Sequence, residues 1–190
     1  AIDWKSGTPS KIGIVLSGPA GSGKTSTAIA LANTMGWDIV ELNASDARSA
    51  GAIEGIALRG SLFQTFSDEG EFSKIKLILI DEADHLYERG HQSKKREKDY
   101  GDRGGKRAII KTLEEGKQPI VLTVNDLYGL TKGAGAKIKR MVTNVKFYPL
   151  NTEIVFKSLR KIADNEKIKV ENNVLDELAK RAKGDLRAAI

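Results

Sequence analysis

Gly18-Pro19-Ala20-Gly21-Ser22-Gly23-Lys24-Thr25 is the stretch that decides the fold of this chain. Just before it, Ile12 to Leu16 is a short, nearly continuous apolar run, which suits a strand buried on both faces. Just after it, Thr25 to Met35 is rich in good helix formers and closes at Gly36, a natural C-cap. A G-x-x-x-x-G-K-[ST] turn between a strand and a helix is a phosphate cradle. Its glycines let successive backbone N–H groups converge on phosphate oxygens, and the helix N-terminus adds the positive end of its dipole. Gly18, Pro19, Ala20, Gly21, Ser22, Gly23, Lys24, Thr25 and Ser26 are therefore the expected nucleotide contacts. Lys24 would reach the β- and γ-phosphates of ATP, and the Thr25 hydroxyl would coordinate Mg²⁺.

The same alternation continues outward. A second strand is expected at Asp38 to Leu42, then a helix over Ala50 to Phe66 that Gly51, Gly55 and Gly60 weaken. A third strand, Lys76 to Ile80, ends on Asp81-Glu82. An apolar strand that finishes on carboxylates presents them at the sheet edge where ligands sit. Asp81 is thus assigned to the Mg²⁺ shell and Glu82 to orienting or deprotonating the attacking water. Asp81-Glu82-Ala83-Asp84 also spells a helicase signature, but no second RecA-like half fits within 190 residues. The spacing then predicts a loop over Arg89 to Arg107, a helix over Ala108 to Glu115, and strands at Ile120 to Val124 and Thr143 to Tyr148. Strands alternating with helices imply an α/β fold, a parallel sheet with helices on both faces. Residues 1–150 would form this domain. From Asn151 the apolar spacing becomes helical, with Ile154, Leu159 and Ile162, then Val174, Leu175 and Leu178. Residues 151–190 read as the start of a small helical lid, and the chain as a fragment.

Composition narrows the class. The chain has no cysteine and only two histidines, His85 and His91, which excludes a disulfide framework and any thiolate metal site. No apolar stretch approaches a membrane span, and no secretory signal stands at the start, so an intracellular protein without a membrane partner is expected. The net charge is +6, and Arg89 to Arg107 alone carries +5. A basic segment of that density is an electrostatic footprint for a nucleic-acid backbone, or else a solvated loop.

In the order of its motifs the chain resembles the AAA+ ATPases, and within them the clamp loaders of the replication factor C type, most closely the archaeal form of the large subunit. Asn125, after Val121-Leu122-Thr123-Val124, matches that family's sensor 1; Arg187, in Gly184-Asp185-Leu186-Arg187, matches its sensor 2. Glu41 to Arg48 is similar to the family's segment after the second strand, and Asp102-Arg103-Gly104-Gly105 to a feature of the large subunit. Small subunits carry a Ser-Arg-Cys motif; here the region is Lys139-Arg140-Met141-Val142, in keeping with a large subunit.

The resemblance implies an ATPase that needs neighbouring subunits, with ATP and Mg²⁺ as cofactors and Lys24, Asp81, Glu82, Asn125 and Arg187 in the nucleotide cycle. It implies a hetero-oligomer with small clamp-loader subunits, acting on a sliding clamp and primer-template DNA. The cell compartment would be the cytoplasm in an archaeon and the nucleus in a eukaryote. DNA contacts would come from Arg48, Arg59, Lys94, Lys95, Arg96, Arg103, Lys106 and Arg107, and clamp contacts from Leu62, Phe63 and Phe66. Other readings are a replication initiator or branch-migration motor, and a nucleotide-binding scaffold without significant turnover.

Overall fold

The computed structural model describes residues 11, 13–44, 55, 75–85 and 104–190. Of the helix expected over Ala50 to Phe66 only Gly55 is among them, and Arg48, Arg59, Leu62, Phe63, Phe66, Lys94, Lys95, Arg96 and Arg103 lie outside them. The chain divides into two compact units: Ala1–Ser17 with Thr25–Val145, and Gly18–Lys24 with Lys146–Ile190. The division after Val145 comes five residues before the boundary expected at 150, and the phosphate loop groups with the helical unit.

The first unit is built on a five-stranded sheet. Its strands are β1 (Gly13–Ser17), β2 (Asp38–Asn43), β3 (Lys76–Asp81), β4 (Ile120–Val124) and β5 (Val142–Lys146), in the order β2-β3-β4-β1-β5. The pairs β1 with β4, β3 with β4 and β2 with β3 are all parallel. Burial follows position in the sheet. Leu77, Ile78, Leu79 and Ile80 of β3 are fully buried, as is every residue of β4, because inner strands of a parallel sheet are covered on both faces. In the edge strand β5 only Val142 is buried.

Helix α1 (Lys24–Met35) buries Ala28 and Ala32, one turn apart, and ends at Gly36, whose φ of 67° is the left-handed C-cap expected of it. Helix α2 (Gly104–Glu115) buries Ile109 and Leu113 in the same core as Val15, Ile78, Ile80 and Leu122. It starts four residues before Ala108, so the segment expected to be a loop as far as Arg107 is helical from Gly104. The two leading glycines and the basic residues after them hid that first turn from a periodicity argument. Between β4 and β5 lie α3 (Leu127–Thr131), a 3₁₀ stretch (Gly133–Lys137) and α4 (Ile138–Met141). Three glycines in nine residues had masked these as helices.

The second unit carries α5 (Thr152–Asn165), α6 (Asn172–Arg181) and α7 (Leu186–Ala189). Its small core consists of Val155, Leu159, Leu175, Ala179 and Ala189. Asn151 caps α5 by accepting from the Ile154 N–H at 2.7 Å, and Asp185 caps α7 by accepting from the Ala188 N–H at 3.0 Å. Exposed i,i+4 pairs, Glu153 with Lys157 and Glu177 with Arg181, place the acid N-terminal to the base, the favourable order along a helix. Among the described residues, no helix is long and apolar enough to cross a membrane.

Candidate functional site

Because β1, β3 and β4 run parallel, their carboxyl ends share one edge of the sheet, where a doubly wound fold binds its ligands. In the first unit, the Thr25 hydroxyl at the start of α1 lies 3.0 and 3.1 Å from the two carboxylate oxygens of Asp81 at the end of β3. The sequence placed these residues 56 positions apart and assigned both to one metal. Two neighbouring oxygens of an octahedral Mg²⁺ site, each about 2.1 Å from the ion, lie about 3.0 Å from one another. The pair therefore has the oxygen chemistry and spacing that the ion requires.

Thr123 of β4, fully buried, reaches into the same group. Its hydroxyl donates a short hydrogen bond to Asp81 Oδ1 and accepts from the Glu82 backbone N–H at 3.1 Å. Glu82 itself has φ = +54°, a left-handed backbone in a non-glycine residue. Such a conformation costs on the order of 1–3 kcal/mol and persists only where surrounding bonds hold it. Here the holding bonds are the Thr123 hydroxyl on the Glu82 N–H and the Thr123 carbonyl on the Ala83 N–H at 2.9 Å. The Glu82 carboxylate remains part-exposed, 3.2 Å from His85 Nδ1.

Asn125 and Asp126, at the exit of β4, both donate their backbone N–H to Asp84 Oδ2 at 2.9 Å. Asp126 in turn caps α3 through the N–H groups of Tyr128 and Gly129. The Asn125 side chain is exposed at the same edge that carries Asp81 and Glu82. Thr123, Asp84 and His85 were not anticipated as site residues. Thr123 looked like one more β-former in a strand, and Asp84 like one acid among several.

In the second unit, the phosphate loop folds around its own lysine. Lys24 is buried and donates to the carbonyls of Gly18 and Pro19, each at 2.8 Å, while the Ser22 hydroxyl donates to Pro19 O at 2.7 Å. Gly21 (φ 64°) and Gly23 (φ 91°) both need left-handed backbone, for different surroundings. A Cβ on Gly23 would meet nothing within 4 Å; one on Gly21 would run into the Asp185 carboxylate. The Leu186 N–H donates to Gly21 O at 3.2 Å. The helix that carries Arg187 thus begins against the phosphate loop, with Arg187 exposed on its first turn.

Lys106 corrects the expectation placed on it. It is only 6 % exposed, and its ammonium donates inward to the carbonyls of Gly129 (3.2 Å) and Lys132 (2.5 Å). Burial, with the nearby Lys132 charge adding to it, lowers its pKa to about 8. A lysine held this way ties α2 to the segment after β4 and has no ammonium to offer DNA. Its neighbour Arg107 is exposed.

Residues 14–147 match the ATPase family associated with various cellular activities (AAA), and residues 157–190 match the RCF1/5-like AAA+ ATPase lid domain. The replication factor C large subunit of Archaeoglobus fulgidus is 42 % identical over 196 residues, covering 100 % of this chain and 37 % of that protein. The one from Methanococcoides burtonii is 43 % identical over 190 residues, covering 100 % and 35 %. The chain thus spans little more than a third of these relatives. Among solved structures, a RuvB variant of Thermotoga maritima superposes with a TM-score of 0.63 at 18 % identity, over 93 % of this chain and 51 % of that one, a likeness of fold.

Proposed function

Since this chain belongs to the AAA family of ATPases and carries an RCF1/5-like lid sequence, we propose that it is the ATP-binding and ATP-hydrolysing part of a clamp-loader large subunit. The observation that carries the nucleotide reading is the Thr25 hydroxyl on the Asp81 carboxylate at metal-sharing distance. ATP would lie with its phosphates in the loop from Gly18 to Thr25, contacted by backbone N–H groups, Lys24 and Ser26. Lys24 would exchange the carbonyls of Gly18 and Pro19 for phosphate oxygens. Thr25 and Asp81 would hold Mg²⁺, which supplies charge neutralisation on the phosphates. Glu82 would accept a proton from the water that attacks the γ-phosphate, giving ADP and inorganic phosphate. Asn125 would orient that water, and Arg187, at the start of its helix, would respond to the γ-phosphate charge.

The names of the archaeal relatives support the larger role: assembly with small clamp-loader subunits, opening of a sliding clamp and its loading onto primer-template DNA inside the cell. Arg48, Arg59, Lys94, Lys95, Arg96, Arg103 and Arg107 would contact the DNA backbone without reading bases, and Leu62, Phe63 and Phe66 would dock the clamp. The test is ATP turnover by the chain alone and with small subunits, clamp and primed DNA. Stimulated turnover that falls about 10²- to 10⁴-fold in Glu82→Gln, with ATP binding retained, is the expected result. Turnover that no combination raises and that Glu82→Gln leaves unchanged would defeat the motor reading.

A further inference from the structure

The exits of β3 and β4 are sewn together by two side chains that neither the metal nor the nucleotide needs directly. Thr123 lies at the end of β4, where a valine would have the same shape and a similar preference for strand. Its hydroxyl must therefore be explained by what it bonds. The Glu82 N–H can only donate and the Asp81 carboxylate can only accept, so the single hydroxyl proton goes to Asp81 and a lone pair takes the Glu82 N–H. One atom thus sets the direction of the metal carboxylate and fixes the backbone of the residue beside it.

Asp84 makes the return stitch. It is 9 % exposed, its Oδ2 accepts from both Asn125 and Asp126, and its Oδ1 is buried without a hydrogen-bond partner among the described residues. A buried carboxylate oxygen left bare is unfavourable, and here the two backbone N–H groups on the other oxygen hold it in place.

We propose that Thr123 and Asp84 are positioning residues that join Asp81 and Glu82 to the Asn125 segment, so that the two strand exits move as one rigid piece during the ATP cycle. Resting on the ATPase reading above, this adds residues that touch neither substrate nor metal. A displacement of Asn125 is passed to Glu82 through Asp84 and Thr123, not through the exposed side chains. Loss of the Thr123 hydroxyl frees Asp81 and Glu82 without removing a group that binds nucleotide.

The test uses the full chain with Thr123→Val, Thr123→Ser and Asp84→Ala, and three readouts. Without nucleotide, hydrogen exchange at the Glu82 amide is expected to quicken about five- to tenfold in Thr123→Val, from loss of a single net hydrogen bond, and to return to the parent rate in Thr123→Ser. Exchange at the Asn125 and Asp126 amides quickens similarly in Asp84→Ala, while the Leu122 amide stays at its parent rate and reports that β4 is intact. With a fluorescent ATP analogue, Thr123→Val needs about tenfold more Mg²⁺ for half-maximal tightening, and its affinity in EDTA is unchanged. Where turnover is measured, kcat falls and KM for ATP stays within twofold, with serine restoring kcat. Parent-like Glu82 exchange and Mg²⁺ dependence in Thr123→Val would overturn the inference alone. Failure of the parent chain to bind any ATP analogue would overturn the nucleotide reading, and this inference with it.

Discussion

Gly21 and Gly23 allow a controlled separation of backbone strain from steric conflict within one loop. Both have left-handed φ, 64° and 91°, so alanine at either costs on the order of 1–2 kcal/mol in conformation. At Gly23 that is the whole cost, because the added Cβ meets open space. At Gly21 the Cβ enters the Asp185 carboxylate and must displace it. Asp185 then loses its capping bond to Ala188, about 1 kcal/mol. The Leu186 N–H to Gly21 O bond is lost too, about 1 kcal/mol more. The sum for Gly21→Ala is about 3–4 kcal/mol, of which about 2 kcal/mol belongs to the start of α7; that part corresponds to roughly a 30-fold change in an opening equilibrium. Amide hydrogen exchange by NMR reads it directly. Leu186 and Ala188 should exchange about 30-fold faster in Gly21→Ala and within threefold of the parent in Gly23→Ala, although both variants lose global stability. Equal exchange at those two amides in the two variants would refute the role given to Asp185.

Two further outcomes follow from the core and from Lys106. Leu113→Ala, at a fully buried position that packs with Ile109 and the central strands, should destabilise the fold by about 3–5 kcal/mol in urea unfolding; a loss below 1 kcal/mol would mean that the site collapses without a cavity. Lys106 has its pKa lowered to about 8 in the fold from 10.5, so above pH 8 the folded chain gives up a proton that the unfolded chain keeps. Stability contributed at this position is thus least below pH 8 and rises up to pH 10.5. The parent should gain on the order of 2 kcal/mol relative to Lys106→Met across that window, and parallel stability curves for the two would contradict the burial of its charge.

What the sequence makes legible of the candidate site is local. The loop from Gly18 to Thr25 carries its own torsions, cradle and lysine in eight consecutive residues, and Asp81-Glu82 announces itself as acids ending an apolar run. Residues whose role depends on a partner far along the chain were not legible. Thr123 bonds Asp81 across 42 positions and Asp84 bonds Asn125 across 41, and nothing in the local pattern of either distinguishes it from an ordinary strand threonine or a turn aspartate. Lys106 was misjudged for the same reason. A lysine in a basic stretch reads as solvated charge until the carbonyls of Gly129 and Lys132 are seen to surround it.

A parallel α/β sheet, a candidate phosphate loop at the first strand's exit and acids at the third's can all be read from the order of residues along the chain. Those features are written in torsional preferences and in hydrophobic period, which act over a few residues. Which side chains lie beside those features follows from the packing of the strands. Parallel pairing brings β3 and β4 side by side, placing the Thr123 hydroxyl on Asp81 and the Asp84 carboxylate beneath the Asn125 backbone. It also turned one lysine of a basic segment into the core. Strand register and burial are properties of the whole packed chain, and a hydroxyl or an ammonium acquires its partner only when they are set.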